Sequence, residues 1–290
     1  NQNRLVNKEP SILNISTEGV YMGIDVGRSS VKLAAYVDGD DVSLGKIEQK
    51  QDELDTADEF IDLIKKALIT AKSKLDDSIG RRKINGVGIS WNSPVREERV
   101  ILSKNLEAKF GRAGAKKLEN LLETMRGWVQ EQFGTDVQFA IKNDGYAGAV
   151  QVASRLNSVN TAYIGLGSST AFGFINRNGQ HALGFYEAYD LRIDSSDKAR
   201  GFQRGSAGAW EYYVSVKGLI EIAQERELLP KDIPFEDYSR IVEELISRAN
   251  QGEESILEIA QIMGKYLAEG IIELSNYQPI EKVIVGGGLM

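Results

Sequence analysis

Hydrophobic residues follow two different spacings along this chain, and the two alternate. Short apolar runs bounded by glycine, asparagine or aspartate predict β-strands. Elsewhere apolar residues recur every three or four positions, which predicts amphipathic helices. The predicted strands are 20–25, 31–37, 42–49, 84–90, 100–102 and 137–141 in the first half, with a strand hairpin over 163–175 and a strand at 282–285 in the second. The sequence therefore predicts an α/β protein in which helices cover a mixed sheet.

The clearest predicted helix begins after Thr56. Thr56 and Glu59 have the spacing of a capping box, in which each side chain bonds the other residue's backbone N–H. The apolar face behind it comprises Phe60, Ile61, Ile64, Leu68, Ala71 and Leu75. Further helices are predicted over 115–133, 145–156, 206–226, 236–249 and 253–277.

The predicted strands lead two successive halves of the chain, which indicates a duplicated architecture. A length of 290 residues suits roughly two domains. We expect one domain at 1–143 and another at 144–290, with a ligand cleft near 143–146. The last strand ends shortly before Met290, whereas a parallel strand is normally followed by a covering helix. We therefore expect the second domain to be incomplete.

Composition narrows the range of chemistry. The net charge of −7 gives no electrostatic footprint for nucleic-acid binding. The sequence contains no cysteine, which excludes thiol catalysis, cysteine-bound zinc and disulfides. No apolar run approaches the roughly 20 residues of a membrane span, and the polar start is no signal peptide. We expect a cytoplasmic protein without nucleic-acid or membrane partners. The one histidine, His181, is predicted to occupy a solvated hairpin position rather than a catalytic one.

Three glycine-containing segments carry the candidate chemistry. Residues 21–32 run from a strand through Asp25 and Gly27 into a second strand, and a hairpin tip of this kind suits a metal-bound phosphate. Residues 161–170 repeat the strand and turn with Gly167 and three hydroxyl residues, and residues 282–288 end a strand in three glycines. An Asp-x-Gly turn alone is common, so the order and spacing of all three segments carry the argument.

This order resembles the superfamily of actin, Hsp70 and sugar kinases. Within it the chain resembles the ROK family of bacterial sugar kinases and sugar-responsive repressors. The matching blocks are 23–27, 88–95, 104–106, 142–149, 164–167, 184–191, 205–213 and 286–288. The resemblance implies a two-domain ribonuclease H-like (actin-like ATPase) fold with an interdomain cleft. It also implies ATP, Mg²⁺ and a small-molecule sugar as ligands, and a homodimer is a candidate because dimers are common in the family.

The nucleotide is expected at the glycine-containing segments. Asp25 suits a role in orienting Mg²⁺, and its alternative interpretation is a turn-capping residue. The expected nucleotide-binding residues are Asp25, Gly27, Arg28, Ser29, Gly167, Ser168, Ser169, Thr170, Gly286, Gly287 and Gly288.

The sugar is expected at a second set of residues. By motif match, Asp144 is the general base that takes the proton of the acceptor hydroxyl. The alternative interpretation is that Asn143 and Asp144 cap a helix, and the two roles are compatible. The resemblance implies Asn105, Asn143, Glu187, Asp190 and Glu211 as sugar-binding residues.

Two departures from the family pattern affect these expectations. Family members hold a structural zinc with a histidine and a cysteine cluster, whereas Asp190, Phe202, Arg204 and Ala209 occupy the corresponding positions here. We therefore expect no zinc, and the sugar contact of that histidine must change. In the phosphate loops, Arg28, Ser169, Ala171 and Phe172 replace residues that the family favours as glycine. One interpretation is that these side chains crowd the triphosphate. The other is that the loop still binds it, since Ser168, Ser169 and Thr170 offer hydroxyl and N–H donors and Arg28 can pair with phosphate.

The leading hypothesis is an ATP- and Mg²⁺-dependent kinase that phosphorylates a hydroxyl of a hexose or related sugar, the 6-hydroxyl being implied by the resemblance. The alternative is a sugar-binding regulator or pseudokinase that has lost turnover, since a fold does not determine a function. A DNA-binding repressor is disfavoured because only some 20 residues precede the first strand. A chaperone-like ATPase lacks sequence support for a peptide-binding domain.

Overall fold

The computed structural model describes residues 11–12, 18–27, 30–50, 53–96, 99–101, 104–182, 188–201, 207–235, 237–287 and 289, with the side chains of 104–106 and 189 excepted. The chain divides into two compact units. The N-terminal unit is Asn14–Ala147, and the C-terminal unit is Gly148–Met290 together with Asn1–Leu13. The backbone N–H of Ile12 donates to the carbonyl of Gly179 (2.7 Å), which attaches this early residue to the C-terminal unit.

A five-stranded mixed sheet forms the centre of the N-terminal unit, with the strand order β3-β2-β1-β4-β7. Its strands are β1 Val20–Val26, β2 Ser30–Val37, β3 Asp40–Glu48, β4 Gly86–Trp91 and β7 Gln138–Asn143. Strands β1, β2 and β3 pair antiparallel, whereas β1, β4 and β7 pair parallel. The short strands β5 Val95–Arg96 and β6 Arg99–Val100 form a separate antiparallel pair. The predicted mixed sheet is therefore confirmed.

Helix α1, Ala57–Ile79, begins as the sequence predicts. Thr56 accepts the N–H of Glu59 (3.1 Å), and Glu59 accepts the N–H of Thr56 (3.1 Å), so both halves of the capping box form. The whole predicted apolar face is buried. Its packing on the central strands explains why the three- and four-residue spacing predicts this helix correctly.

The single helix predicted over 115–133 is wrong, because the structure contains two. Helix α2 is Lys104–Glu119, with a kink at Gly111 (φ 66°, ψ 171°), and α3 is Leu121–Phe133. At Asn120 the dihedral angles are φ −95° and ψ 23°, and its side-chain amide donates to the carbonyl of Lys116 (3.0 Å). An asparagine that bonds nearby backbone competes with helix continuation.

The C-terminal unit repeats the strand pairing of the N-terminal unit. Strand β8 Thr161–Leu166 pairs antiparallel with β9 Thr170–Ile175 and parallel with β10 Lys282–Gly287, as β1 pairs with β2 and β4. Its helices are α4 Asp144–Arg155 (which starts in the N-terminal unit), α5 Glu211–Val214, α6 Val216–Glu225, α7 Tyr238–Asn250 and α8 Glu254–Ser275. Among the described residues, no helix has both the length and the apolar character needed to cross a membrane.

Two expectations for the C-terminal unit are wrong. The helix predicted over 206–226 is interrupted at Ser215, whose extended backbone (φ −93°, ψ 175°) ends α5 and whose side chain caps α6. His181 is 2% exposed rather than solvated. It pairs through its backbone with Ile175 at the end of β9, and this additional bridge places the side chain inside the unit.

Candidate active site

Three parallel strands of the N-terminal unit bring polar residues to one edge of its sheet. Asp25 lies near the end of β1 and faces Ser90 of β4 in the strand register, and Ser90 in turn faces Lys142 of β7. Asn143 ends β7 and Asp144 begins α4. In α/β sheets the carboxyl ends of the strands form the usual ligand site.

Asp25 is held at both carboxylate oxygens. The hydroxyl of Ser90 donates to Oδ1 (2.7 Å), and Lys32 Nζ lies 3.3 Å from Oδ2. The lysine side chain is 70% exposed, so its ion pair contributes little. Ser90 is half-buried and is the stronger constraint on the carboxylate. Ser90 is not among the residues that the sequence predicts for the site, because the register between β1 and β4 cannot be derived from the sequence of either strand.

The turn after Asp25 is tight. The N–H of Gly27 lies 3.1 Å from the carbonyls of both Asp25 and Ser30. A Cβ atom at Gly27 would lie 3.0 Å from the Ser30 carbonyl oxygen, closer than nearly all real contacts. Glycine is therefore favoured at this position by close backbone approach. The predicted nucleotide-binding residues Arg28 and Ser29 lie outside the described residues.

Asn143 caps the start of α4, as the alternative interpretation of this residue predicts. It is 5% exposed, its Oδ1 accepts the N–H of Tyr146 (3.2 Å), and its Nδ2 donates to the carbonyl of Ser93 (3.3 Å). These bonds fix the start of α4 and so the position of Asp144. The side chain of Asn143 also hydrogen-bonds the carboxylate of Asp144, which opposes the rise in the pKa of Asp144.

Asp144 has the electrostatic character of a general base. Burial raises its pKa to about 6, the hydrogen bond from the N–H of Gly145 (2.8 Å) opposes this rise, and the negative charge of Asp25 adds to it. A base with a pKa near the working pH is ionised yet still accepts a proton readily. The carboxylate of Asp144 is thus more buried than that of Asp25. Ionisable groups in such different environments are common in active sites.

The donor set of this cluster fits a magnesium ion. Mg²⁺ is usually held by one or two carboxylates with water and substrate phosphates. Asp25 supplies one oriented carboxylate, and within the described part of the chain no group of three or more histidine or acidic side chains forms a protein-only metal cage. Such a site would depend on the phosphates of a bound nucleotide for its remaining ligands.

The second loop, Gly167 to Thr170, lies in the C-terminal unit between β8 and β9. The N–H of Gly167 donates to the carbonyl of Ser169 (3.0 Å), and the carbonyl of Gly167 accepts the N–H of Val216 (2.8 Å). In the part of the chain that is described, the N–H groups of Ser168 and Ser169 have no acceptor. Both residues are exposed, so this loop presents two free N–H donors to an anion.

Phe172 does not crowd this loop. Its side chain is fully buried and packs in the core of the C-terminal unit, because alternate residues of β9 point to opposite faces. Thr170 is also buried, and its Oγ1 has no hydrogen-bond partner among the described residues. Phe172, the largest residue that replaces glycine here, therefore does not occupy the tip of the loop.

Glu211 lies against the same loop. It is the first residue of α5, and its Oε2 accepts a hydrogen bond from the hydroxyl of Ser169 (2.7 Å). The segment of Asp190 is adjacent, since the carbonyl of Leu191 accepts the N–H of Trp210 (2.8 Å). Partial desolvation raises the pKa of Asp190. The predicted residue Glu187 and the zinc-segment residues Phe202 and Arg204 lie outside the described residues, as does the side chain of Asn105.

The glycines that end β10 meet the start of the loop. Gly286 and Gly287 pair with Gly165 and Leu166 of β8. Gly287 has φ +114°, and a Cβ atom there would lie 2.2 Å from the carbonyl oxygen of Leu166. Gly288 lies outside the described residues. The structure thus groups Gly167 to Thr170, Glu211, Gly286 and Gly287 in the C-terminal unit, and Asp25, Gly27, Asn143 and Asp144 in the N-terminal unit.

Comparisons with known proteins agree with this fold. The sequence model of the protein family described as ROK family matches residues 21–290 of this chain. The structure is similar to that of a ROK family glucokinase from Streptomyces griseus in complex with glucose and AMPPNP, with a TM-score of 0.69 and 19% identity over 93% of this chain and 84% of that chain.

Two further structures show the breadth of the family. A ROK hexokinase from Thermus thermophilus matches with a TM-score of 0.63 and 16% identity over 93% of this chain and 82% of its own. A ROK family transcriptional regulator, a homolog of the E. coli MLC protein, matches with a TM-score of 0.63 and 16% identity over 93% of this chain and 65% of its own. No curated protein matches the sequence. The predicted α/β, actin-like fold is confirmed.

Gly287→Ala tests the close approach of β10 to the loop. We expect it to lower the free energy of unfolding by more than about 2 kcal/mol, since backbone strain and a steric clash add. Gly252→Ala is the matched control, because Gly252 has φ +83° with no atom within 4 Å of a Cβ, so only strain of about 1 kcal/mol applies. Urea unfolding followed by circular dichroism measures both. An equal decrease in the free energy of unfolding of the two variants would show that the contact with Leu166 does not affect stability.

The pKa of Asp144 can be measured directly by carbon NMR of its carboxyl group. We expect a titration midpoint near pH 6. Asp25→Asn should lower this pKa because it removes the neighbouring negative charge, whereas Asp136→Asn, at an exposed position paired with Lys83, should leave it unchanged. A wild-type midpoint near pH 4 would contradict the described environment.

Proposed function

Because this chain belongs to the ROK family, we propose that it is an ATP-dependent sugar kinase that phosphorylates a hydroxyl of a hexose or a related sugar. The 6-hydroxyl is the expected acceptor, as the family resemblance implies. The observation that carries the proposal is the carboxylate of Asp144, whose pKa is raised to about 6 by burial and whose neighbour across the strand ends is Asp25. A hydroxyl acceptor requires such a base.

Asp144 would take the proton of the attacking sugar hydroxyl. The oxygen–phosphorus bond to the sugar then forms as the bond to the leaving ADP oxygen breaks, and the proton stays on Asp144 until solvent removes it. The helix start fixed by Asn143 holds this carboxylate in place. Positioning of this kind supplies much of the rate in phosphoryl transfer, since there is little covalent chemistry for the protein to perform.

Asp25 would hold Mg²⁺, which when bound neutralises charge on the transferred phosphoryl group. Ser90 keeps the carboxylate of Asp25 in a single orientation by donating to Oδ1. The free N–H groups of Ser168 and Ser169 would bind phosphate oxygens. The similar glucokinase whose structure contains AMPPNP supports ATP as the donor.

The acceptor would be bound by carboxylates and amides. Glu211, Asp190 and Asn143 offer acceptors that each bond one or two sugar hydroxyls. Their number suits a polyhydroxylated ligand. The glucose in the similar structure and the names glucokinase and hexokinase support a hexose as the substrate class.

A sugar-binding regulator is the second candidate function. The similar transcriptional regulator shows that this fold occurs in a regulator. Ser169 and Ala171 replace favoured glycines in the second loop, which supports a pseudokinase. Against this, the buried position of Phe172 leaves the loop open.

Release of ADP with a panel of glucose, mannose, fructose and N-acetylated amino sugars tests the proposal. We expect turnover with at least one hexose, and Asp144→Asn should lower kcat by about 10²- to 10⁴-fold while sugar affinity changes little. The amide still accepts a hydrogen bond but is not basic. Asp136→Asn is the matched control and should retain full activity.

Two results would contradict the kinase. Asp144→Asn with near wild-type turnover would remove the assigned base. A wild-type protein that binds a sugar, gives no calorimetric signal with Mg²⁺-ATP and releases no ADP would instead establish the sugar-binding regulator.

A further inference from the structure

The hydroxyl of Ser169 connects the loop at Gly167 to Thr170 with the carboxylate of Glu211, both in the C-terminal unit. It belongs to the loop whose N–H groups are proposed to bind phosphate, and it donates to Oε2 of Glu211 (2.7 Å). Within the described part of the chain, Ser169 is the one side chain that hydrogen-bonds the carboxylate of Glu211. A glycine at this position would leave Glu211 without that bond.

We propose that Ser169 is a positioning residue that couples sugar binding to nucleotide binding through its hydrogen bond to Glu211. The proposal rests on the proposed function, in which Glu211 binds the sugar and the Ser169 loop binds phosphate. The sugar needs the Oε2 atom of Glu211, and the phosphate needs the hydroxyl of Ser169. The hydrogen bond between these two groups occupies both of them.

The backbone around the bond is held on both sides, so the hydroxyl is the element that can move. The loop is fixed by the bond from Val216 N–H to the carbonyl of Gly167 (2.8 Å), and the helix that begins at Glu211 ends in the bond from Ser215 N–H to the carbonyl of Glu211 (3.1 Å). A serine hydroxyl rotates freely between acceptors. Rotation from Glu211 to a phosphate oxygen needs no backbone rearrangement.

The sign of the coupling follows from counting broken bonds. A sugar hydroxyl that donates to Oε2 displaces Ser169, which then is free to donate to phosphate. A phosphate that accepts from Ser169 frees Oε2 for the sugar. Whichever ligand binds first breaks the bond, and the second ligand binds without that cost. The two ligands therefore strengthen one another, and thermodynamic linkage makes the effect reciprocal.

Calorimetric titration with Mg²⁺-AMPPNP and a hexose measures this coupling. The hexose is the one with the highest turnover in the panel above, or glucose if none is turned over. The coupling factor is the ratio of sugar dissociation constants without and with the nucleotide analogue. We expect Ser169→Gly to reduce this factor by about 3- to 10-fold, the value of one hydrogen bond, and to strengthen binding of the sugar alone.

Two variants separate coupling from loop structure. Ser169→Thr keeps the hydroxyl and should retain the wild-type coupling factor. Ser168→Ala removes the adjacent exposed hydroxyl, which does not bond Glu211, and should also leave the factor unchanged.

The outcomes distinguish this proposal from the proposed function. If wild-type protein binds both ligands and Ser169→Gly leaves the coupling factor unchanged, the coupling role is wrong while the kinase proposal stands. If Ser169→Gly weakens the binding of both ligands by the same factor and leaves the coupling factor unchanged, Ser169 has only a structural role and the proposal is overturned. If wild-type protein binds neither ligand, both proposals fail together.

Discussion

The parallel pairing of β1, β4 and β7 is the constraint on which the proposed chemistry depends. It places Asp25 beside Ser90, and it brings the end of β7 to the same edge of the sheet. A shift of one residue in either pairing would point the opposite face of the strand to this edge. Because apolar residues of β1 and β4 are buried at alternate positions, the core holds this register and with it the orientation of the carboxylate of Asp25.

Burial and charge give the two carboxylates of this edge different environments. Asp25 is exposed enough to bind a hydrated ion and is oriented by a hydroxyl. Asp144 lies deeper, and both desolvation and the charge of Asp25 raise its pKa. In the proposed reaction, Asp25 of β1 would be the ligand of the metal ion and Asp144 of α4 the base, which is the combination that phosphoryl transfer to a hydroxyl requires.

In the C-terminal unit, the same strand pairing supports the loop from Gly167 to Thr170. Close approach of Gly287 to Leu166 brings β10 against the start of the loop. Phe172 lies within β9 and is buried in the core, whereas Ser168 and Ser169 precede the strand and are exposed. The burial of Phe172 explains why this bulky residue does not occupy the loop. The sequence of the loop alone does not decide between the two positions of the side chain.

Local signals in the sequence predicted much of the fold. The strands, the capping box of α1 and its apolar face depend on neighbouring residues, and the structure confirms them. The breaks at Asn120 and Ser215 were missed because each lies inside a continuous apolar pattern, and a single side chain that bonds the backbone overrides it.

Of the candidate site, the sequence indicated the residues but not their partners. Asp25, Asp144 and Glu211 were named from motifs, whereas the bonds from Ser90 and Ser169 join residues distant in the chain and depend on strand register and loop packing. The burial of His181 likewise depends on a bridge to Ile175 that has no local signal.

The central claim is that Asp144 accepts a proton from the substrate, and the pH dependence of kcat/KM for ADP release tests it most directly. The ionised form of Asp144 is the active one, so log kcat/KM should rise with unit slope at low pH and level off near pH 6, where the pKa of Asp144 lies. A profile that is flat from about pH 5 to 8 in the wild-type protein would contradict the account.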